Sequence, residues 1–330
     1  MSKWLMVLPP DGAARAVAQN ATAAFVSEIS ELKTFDCLHY RNAFRKLLAR
    51  PDDDLVVDLL NQSLVVQCLD FRATHLLIYA LSPVTLFTLN LLRNQKIKTI
   101  HWFYEDYRRA VYWKDVAAGY EFFFAIQRGE VERRCRESGC RYAFLPTAAG
   151  QSTSASEVSS YVPETDVAFV GLPSPYRNAM LESFAAAGIS LIIAGSGWDR
   201  YRGPLQRCVA KGNWTDENES AAILRRARIG LNLSMDDPTP DRSAVHVSPR
   251  VFDIMLQKRT VVTEDVPLAG EILDGYNYRT FVAPADAVAV IRDVLANPDR
   301  ENASAERNRQ RVLSRDTYTQ RARAILALTA

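Results

Sequence analysis

Apolar residues recur along this chain in two rhythms. Some form short uninterrupted runs rich in β-branched and aromatic residues; others return every third or fourth position. In the first half the runs predict strands at residues 4–8, 74–80, 97–104, 121–126 and 142–145. The spaced stretches predict helices at 54–69, 84–93 and 129–138. A Pro-Pro-Asp-Gly sequence after Leu8 and Ser82-Pro83 mark turns. From 148 to 160 the chain turns to Ser, Thr, Ala and Gly, the composition of a linker. The alternation then restarts, with strands at 166–170, 190–194, 229–233 and 260–263. Helices are predicted at 177–187, 218–227, 247–257, 284–296 and from Glu301 onward.

Strands alternating with helices imply parallel sheets with crossover helices. The expected fold class is therefore α/β, with two Rossmann-like parallel-sheet domains facing an interdomain cleft. The boundaries read as 1–150 for the first domain, 151–163 for the linker and 164–330 for the second. The last helix is free to pack back on the first domain. In such folds ligands gather at the carboxyl ends of the strands.

Composition narrows the function classes. Of 330 residues, 48% are hydrophobic and 24% charged, as in ordinary globular proteins. A net charge of +2 gives no electrostatic reason to expect a nucleic-acid partner. No apolar stretch reaches the roughly 18 residues of a membrane span, and the first ten residues lack a signal-peptide pattern. Peripheral contact with a membrane surface stays open. Five scattered cysteines argue against a disulfide framework and point to a reducing cytoplasm. Cys135 and Cys140 form the one close pair, with no further metal ligand near them in sequence.

Several strand ends carry candidate chemistry, each with a plainer alternative. Gly171 closes a strand and lets backbone approach a ligand, or simply connects strand to helix. Gly195-Ser196-Gly197-Trp198 closes the next one. There Trp198 offers either a stacking face to a flat ligand or a lid over the core. Ser248, Pro249 and Arg250 open a helix, and a hydroxyl, free amides and a guanidinium together suit a diphosphate. Asp253, one turn on, is placed to accept from ribose hydroxyls; the alternative is a capped helix with a surface Arg–Asp pair. Glu105 and Asp106 follow a strand directly, as a base or grip for sugar hydroxyls or as helix caps. His101, inside that strand, is either part of the site or a core histidine. Asp52-Asp53-Asp54 has the Asp-x-Asp pattern of metal-dependent sugar transfer, but its place before a helix suits first-turn dipole pairing. No metal and no cofactor are expected.

Eight segments occur in order in the second half: DVAFVG (166–171), Arg177, IIAGSGW (192–198), KGNW (211–214), IGLNL (229–233), SPRVFDIML (248–256), VVTED (261–265) and RDTYTQRA (315–322). With HWFYED (101–106) and FLP (144–146), the series resembles the CgeB-like glycosyltransferases of the GT-B superfamily, relatives of family 4. The resemblance spans most of 75–322 and is strongest over 166–265. It implies a GT-B fold, a nucleotide-sugar donor held by the second domain, an acceptor of unspecified kind (protein, glycan or lipid-linked saccharide), and retention of anomeric configuration. Carried over residue by residue, Ser248 and Arg250 hold the diphosphate, with Arg177 as a further cation. Gly171, Gly195 and Trp198 shape the nucleotide pocket, and Glu105 and Asp106 serve the acceptor side. Asp253 matches the second acid of a Glu-x7-Glu motif whose first acid is replaced by Val245. His246 beside it is either a substitute or a loop histidine without a role. Lys258-Arg259 replaces the small residue or glycine usual after that helix, and Tyr107 stands where proline often follows the acid pair. A nucleotide-sugar epimerase and a noncatalytic sugar-nucleotide-binding subunit are the alternatives compatible with the same fold.

Overall fold

The computed structural model describes residues 2–48, 52–150 and 162–330; the linker expected at 151–163 lies outside them except for its last two residues. The chain divides into two compact units, Met1–Thr147 with Tyr318–Ala330, and Ala148–Thr317.

The first unit holds β1 (Lys3–Leu8), α1 (Gly12–Val26), β2 (Glu31–Asp36), α2 (Cys37–Leu47) and α3 (Asp53–Phe71). It continues through β3 (His75–Tyr79), α4 (Leu86–Asn94), β4 (Lys98–Phe103), α5 (Trp113–Val116), β5 (Phe122–Ala125), α6 (Glu130–Glu137) and β6 (Arg141–Phe144). All neighbouring strands pair in parallel, in the order β2-β1-β3-β4-β5-β6. The central strands are buried along their length, as sheets covered on both faces require. The sequence pattern missed α1, β2 and α2. The inner face of α1 is largely alanine (Ala14, Ala18, Ala21, Ala24), a weak periodic signal. β2 is an edge strand whose one buried residue is Phe35.

The second unit runs β7 (Thr165–Val170), α7 (Pro175–Ala186), β8 (Leu191–Ala194), β9 (Val209–Lys211), α8 (Glu217–Arg225), β10 (Ala227–Asn232), α9 (Arg250–Leu256) and β11 (Thr260–Glu264). It ends with α10 (Pro267–Ile272), β12 (Arg279–Phe281), α11 (Pro284–Ala296) and α12 (Pro298–Arg315). Its six parallel strands are ordered β12-β11-β10-β7-β8-β9. In chain order that is the doubly wound sequence 3-2-1-4-5-6, whose winding reverses between β7 and β10. The helix expected at 247–257 begins only at Arg250, with Pro249 as its N-cap and Val247 and Ser248 outside it. The terminal helix expected from Glu301 is two helices. After Asp316 and Thr317 the chain forms α13 (Tyr318–Thr329), which packs on α1 in the first unit. There Arg321 donates to the carbonyl of Pro146 at 2.9 Å, and Lys98 Nζ to that of Thr329 at 2.9 Å.

Candidate active site

The reversal point of the second sheet gathers most of the residues singled out from sequence. Gly171 directly follows β7, while β10 ends in Asn232 and β11 in Glu264. The Arg250 guanidinium lies among them. Its Nη1 donates to Asn232 Oδ1 at 3.1 Å, and a Cβ added at Gly171 would stand 3.0 Å from its Nη2. The guanidinium carbon is 5.5 Å from the Phe169 ring centroid. Among the described residues Arg250 makes that single side-chain hydrogen bond through its guanidinium, leaving most of its donors uncommitted. Burial pushes its pKa down to about 10, with only partial compensation from Asp253 and Glu264. A cation this poorly neutralised is suited to an incoming anion.

Asp253 is half-buried on α9 and accepts from the Gly150 N–H at 3.3 Å. Burial is the main reason its pKa rises to about 7; nearby Glu217 adds to the rise, and Gly150 and Arg250 oppose it. No direct ion pair joins Arg250 and Asp253 among the described residues, so the surface-pair alternative does not describe them. Ser248 Oγ accepts from the Arg250 N–H at 3.3 Å. Beyond α9, Lys258 adopts φ 53°, the left-handed conformation in which glycine is favoured.

Two donor-side expectations are corrected. Trp198 offers no stacking face: it is 0% exposed, packs in the core beside Phe169, and donates from Nε1 to the Gly171 carbonyl at 2.7 Å. Its contribution to the site is to fix the Gly171 backbone. Gly195 completes that arrangement with φ 136°, where a Cβ would meet the Gly171 carbonyl oxygen at 2.4 Å. Arg177 is not a phosphate-facing cation. It is buried, and its guanidinium donates to the carbonyls of Leu172 (2.9 Å), Leu233 (2.7 Å) and Ser234 (3.0 Å). It ties the loops after β7 and β10 together.

Sequence reasoning singled out neither Asn232 nor Glu264 individually. Glu264 is buried at the end of β11, accepts from the Ser234 N–H at 2.7 Å, and has its pKa raised by burial. Its place inside the VVTED segment was the available signal. A cavity of about 10 Å³, room for about one water, is lined by Asn232, Glu264, Val245 and His246 among others. The position of the absent first acid, Val245, is thus an apolar wall, and His246 shares its cavity.

In the first unit, β4 delivers Glu105 and Asp106 to the carboxyl edge of the sheet. They divide sharply. Asp106 is buried and accepts from Arg108 at 2.6 and 3.0 Å, while its backbone carbonyl accepts from the amides of Arg109 and Ala110. That is a turn-forming role, which corrects its assignment to catalysis. Glu105 is half-buried with no hydrogen-bond partner among the described residues. Burial, then the neighbouring Asp106 carboxylate, raise its pKa to about 7. His101 is a core residue: fully buried, stacked on Tyr120, bonded through Nδ1 to the Ile78 carbonyl at 2.8 Å, and pushed down to about 3. Asp52 caps α3 by accepting from the Asp54 N–H at 3.1 Å, and Asp53 pairs with Arg45. Among the described residues no three His, Cys, Asp or Glu side chains are grouped to hold a metal ion, and no helix is long and apolar enough to cross a membrane.

Residues 177–327 match the family model described as glycosyl transferase-like. No curated protein matches the chain. Among solved structures it is similar to sucrose-phosphate synthase from Thermosynechococcus elongatus, at 12% identity and a TM-score of 0.67 over 100% of this chain and 98% of that one. It is similar to Anabaena HepE in complex with UDP-glucose, at 11% identity and a TM-score of 0.66 over 99% and 100%. Trehalose 6-phosphate synthase from Burkholderia multivorans aligns at 13% identity and a TM-score of 0.59, over 100% of both chains. The fold is therefore GT-B, two six-stranded parallel sheets, and residues 177–327 are similar to the glycosyl transferase-like family.

Proposed function

We propose that this chain is a glycosyltransferase of the CgeB-like group, moving a sugar from a nucleotide-sugar donor to an acceptor without a metal ion. The observation that carries the reading is Arg250, a poorly neutralised guanidinium at the reversal point of the second sheet, beside Gly171, where a Cβ would stand 3.0 Å from it. As the bond between the anomeric carbon and the diphosphate oxygen breaks, negative charge grows on the leaving group. A fixed guanidinium meets that charge without reorganising, the form of stabilisation that lowers barriers most. Asp253 takes the ribose hydroxyls, Gly171 leaves room for the diphosphate, and Gly195 lets the backbone pack closely behind Gly171. In the first unit Glu105, with its pKa near neutrality, takes the proton of the acceptor hydroxyl. Retention of configuration and a cytoplasmic location belong to the same proposal and rest on the family resemblance and the free cysteines.

The test is a thermal-shift panel of nucleotide sugars beginning with UDP-glucose, the ligand of HepE. A true donor raises the melting temperature in step with its concentration. Incubation of that donor with candidate acceptors then shows sugar transfer. A panel without any shift, or a bound donor that epimerises with no acceptor present, overturns the proposal.

A further inference from the structure

The C-terminus of α6 is built as a Schellman turn. Ser138 caps the helix and Gly139 follows at φ 81°. The Gly139 N–H donates to the Arg136 carbonyl and the Cys140 N–H to the Cys135 carbonyl, each at 3.0 Å. These are the two backbone bonds of the motif, which brings the side chains at its first and last positions into contact. That contact is ordinarily between apolar residues. Here both are cysteines, one at each end of the motif.

The surroundings distinguish this pair from the other cysteines. Cys37 and Cys68 are buried without a thiol partner and pushed up to about 12. Cys140 is held below the usual thiol range by the Cys135 hydrogen bond and, in smaller part, by the Arg93 cation. Its Sγ donates to the Ala117 carbonyl at 3.4 Å, and Arg93 donates to the next carbonyl, Ala118, at 2.9 Å. Cys135 is 0% and Cys140 5% exposed. A surface cavity of about 170 Å³, lined by Trp113, Ala117, Arg134, Glu137 and Ser138, flanks the turn.

We propose that Cys135 and Cys140 form a peroxide-reactive dithiol that closes to a disulfide across the turn between α6 and β6. The Cys140 thiolate attacks one oxygen of hydrogen peroxide, giving a sulfenic acid and hydroxide. The Cys135 thiol attacks that sulfur and its proton leaves with the sulfenic hydroxyl as water; the proton released when Cys140 ionised converts the hydroxide to the second water. In total two thiols are oxidised by two electrons and one peroxide is reduced to two waters. Disulfides form where Cα atoms stand about 4.4–6.8 Å apart, and the bond from the Cys140 N–H to the Cys135 carbonyl at 3.0 Å holds the two backbones near each other. A thiol reductant reverses the bond by exchange.

The experiment exposes the full chain to hydrogen peroxide, then alkylates it in denaturant and maps its tryptic peptides. Cleavage after Arg134, Arg136 and Arg141 leaves the Cys135 and Cys140 peptides separate unless a disulfide joins them. The expected result is a Cys135–Cys140 cross-linked peptide that disappears on reduction, with Cys37 and Cys68 still alkylated. In Cys135→Ala, Cys140 instead accumulates as a sulfenic acid trapped by dimedone. Both cysteines still alkylated in the oxidised wild type, or a disulfide linking either one to another chain, overturns the proposal. The wild-type map decides even if the variant fails to fold.

Discussion

Arg177 and Arg250 both place a guanidinium within 5.5 Å of the Phe169 ring centroid, yet their substitutions should have opposite consequences. Methionine preserves much of each stem while removing the charge. At position 177 it strips donors from the carbonyls of Leu172, Leu233 and Ser234 around a buried side chain. Breaking such a network costs about 3–5 kcal/mol. At about 2–4 °C per kcal/mol for a unit of this size, the melting temperature should fall by roughly 6–20 °C. At position 250 methionine removes a cation whose pKa is already depressed to about 10. A depressed basic pKa means that folding disfavours the charged form, so at pH 7 the unliganded variant should be as stable as wild type or up to about 1–2 kcal/mol more stable, after discounting for solvent access. Its cost should appear in binding. Loss of a charge-assisted contact worth about 1.5–3 kcal/mol lowers nucleotide diphosphate affinity by roughly tenfold to a hundredfold. Arg250→Lys should recover part of it, since an ammonium lacks the planar fork. Differential scanning calorimetry and isothermal titration on the three variants read both quantities. A folded Arg250→Met protein with wild-type affinity, or an Arg177→Met protein with wild-type melting, would refute the division of labour.

Four further outcomes follow from the same geometry. If Glu105 accepts a proton, kcat/KM should rise with pH through about 7; Asp106→Asn, which removes the lesser cause of the shift, should move that limb to lower pH, and Glu105→Gln should abolish transfer while leaving nucleotide affinity unchanged. Asp253, also raised to about 7, binds a proton more tightly folded than unfolded, so its contribution to stability is fully present below about pH 4 and is lost as pH rises through 7. Asp253→Asn should therefore raise the melting temperature at pH 8 more than at pH 5 and weaken nucleotide but not pyrophosphate binding, measured by calorimetry. Gly195→Ala should cut donor affinity, because its Cβ would lie 2.4 Å from the Gly171 carbonyl oxygen; unchanged titration curves would contradict that. Turnover should survive EDTA, and loss of activity restored by magnesium or manganese would return attention to Asp52 and Asp54.

The alternation of apolar runs and amphipathic stretches determined the α/β class, because a strand buried on both faces must be nearly continuous in apolar residues. Elements whose burial is slight or made by small side chains escaped that logic: the alanine face of α1, the exposed edge strand β2, and the short strands β9 and β12. At the site the sequence pointed to Arg250 and Glu105 as polar residues at element ends and to Asp253 one helical turn beyond Arg250. What it could not decide is the use of each polar group. Arg177 and Arg250 are chemically the same residue, and only folding surrounds one with three backbone carbonyls and leaves the other largely uncompensated. Glu105 and Asp106 are adjacent in sequence, yet the turn after β4 engages one with Arg108 and leaves the other open. Trp198 follows two glycines that suggested an open pocket, and the packing of Phe169 and Tyr201 closed it into the core. Partners such as Asn232 and Glu264 come from strands distant in sequence. Their meeting with Arg250 depends on the order β11-β10-β7, which no local pattern encodes.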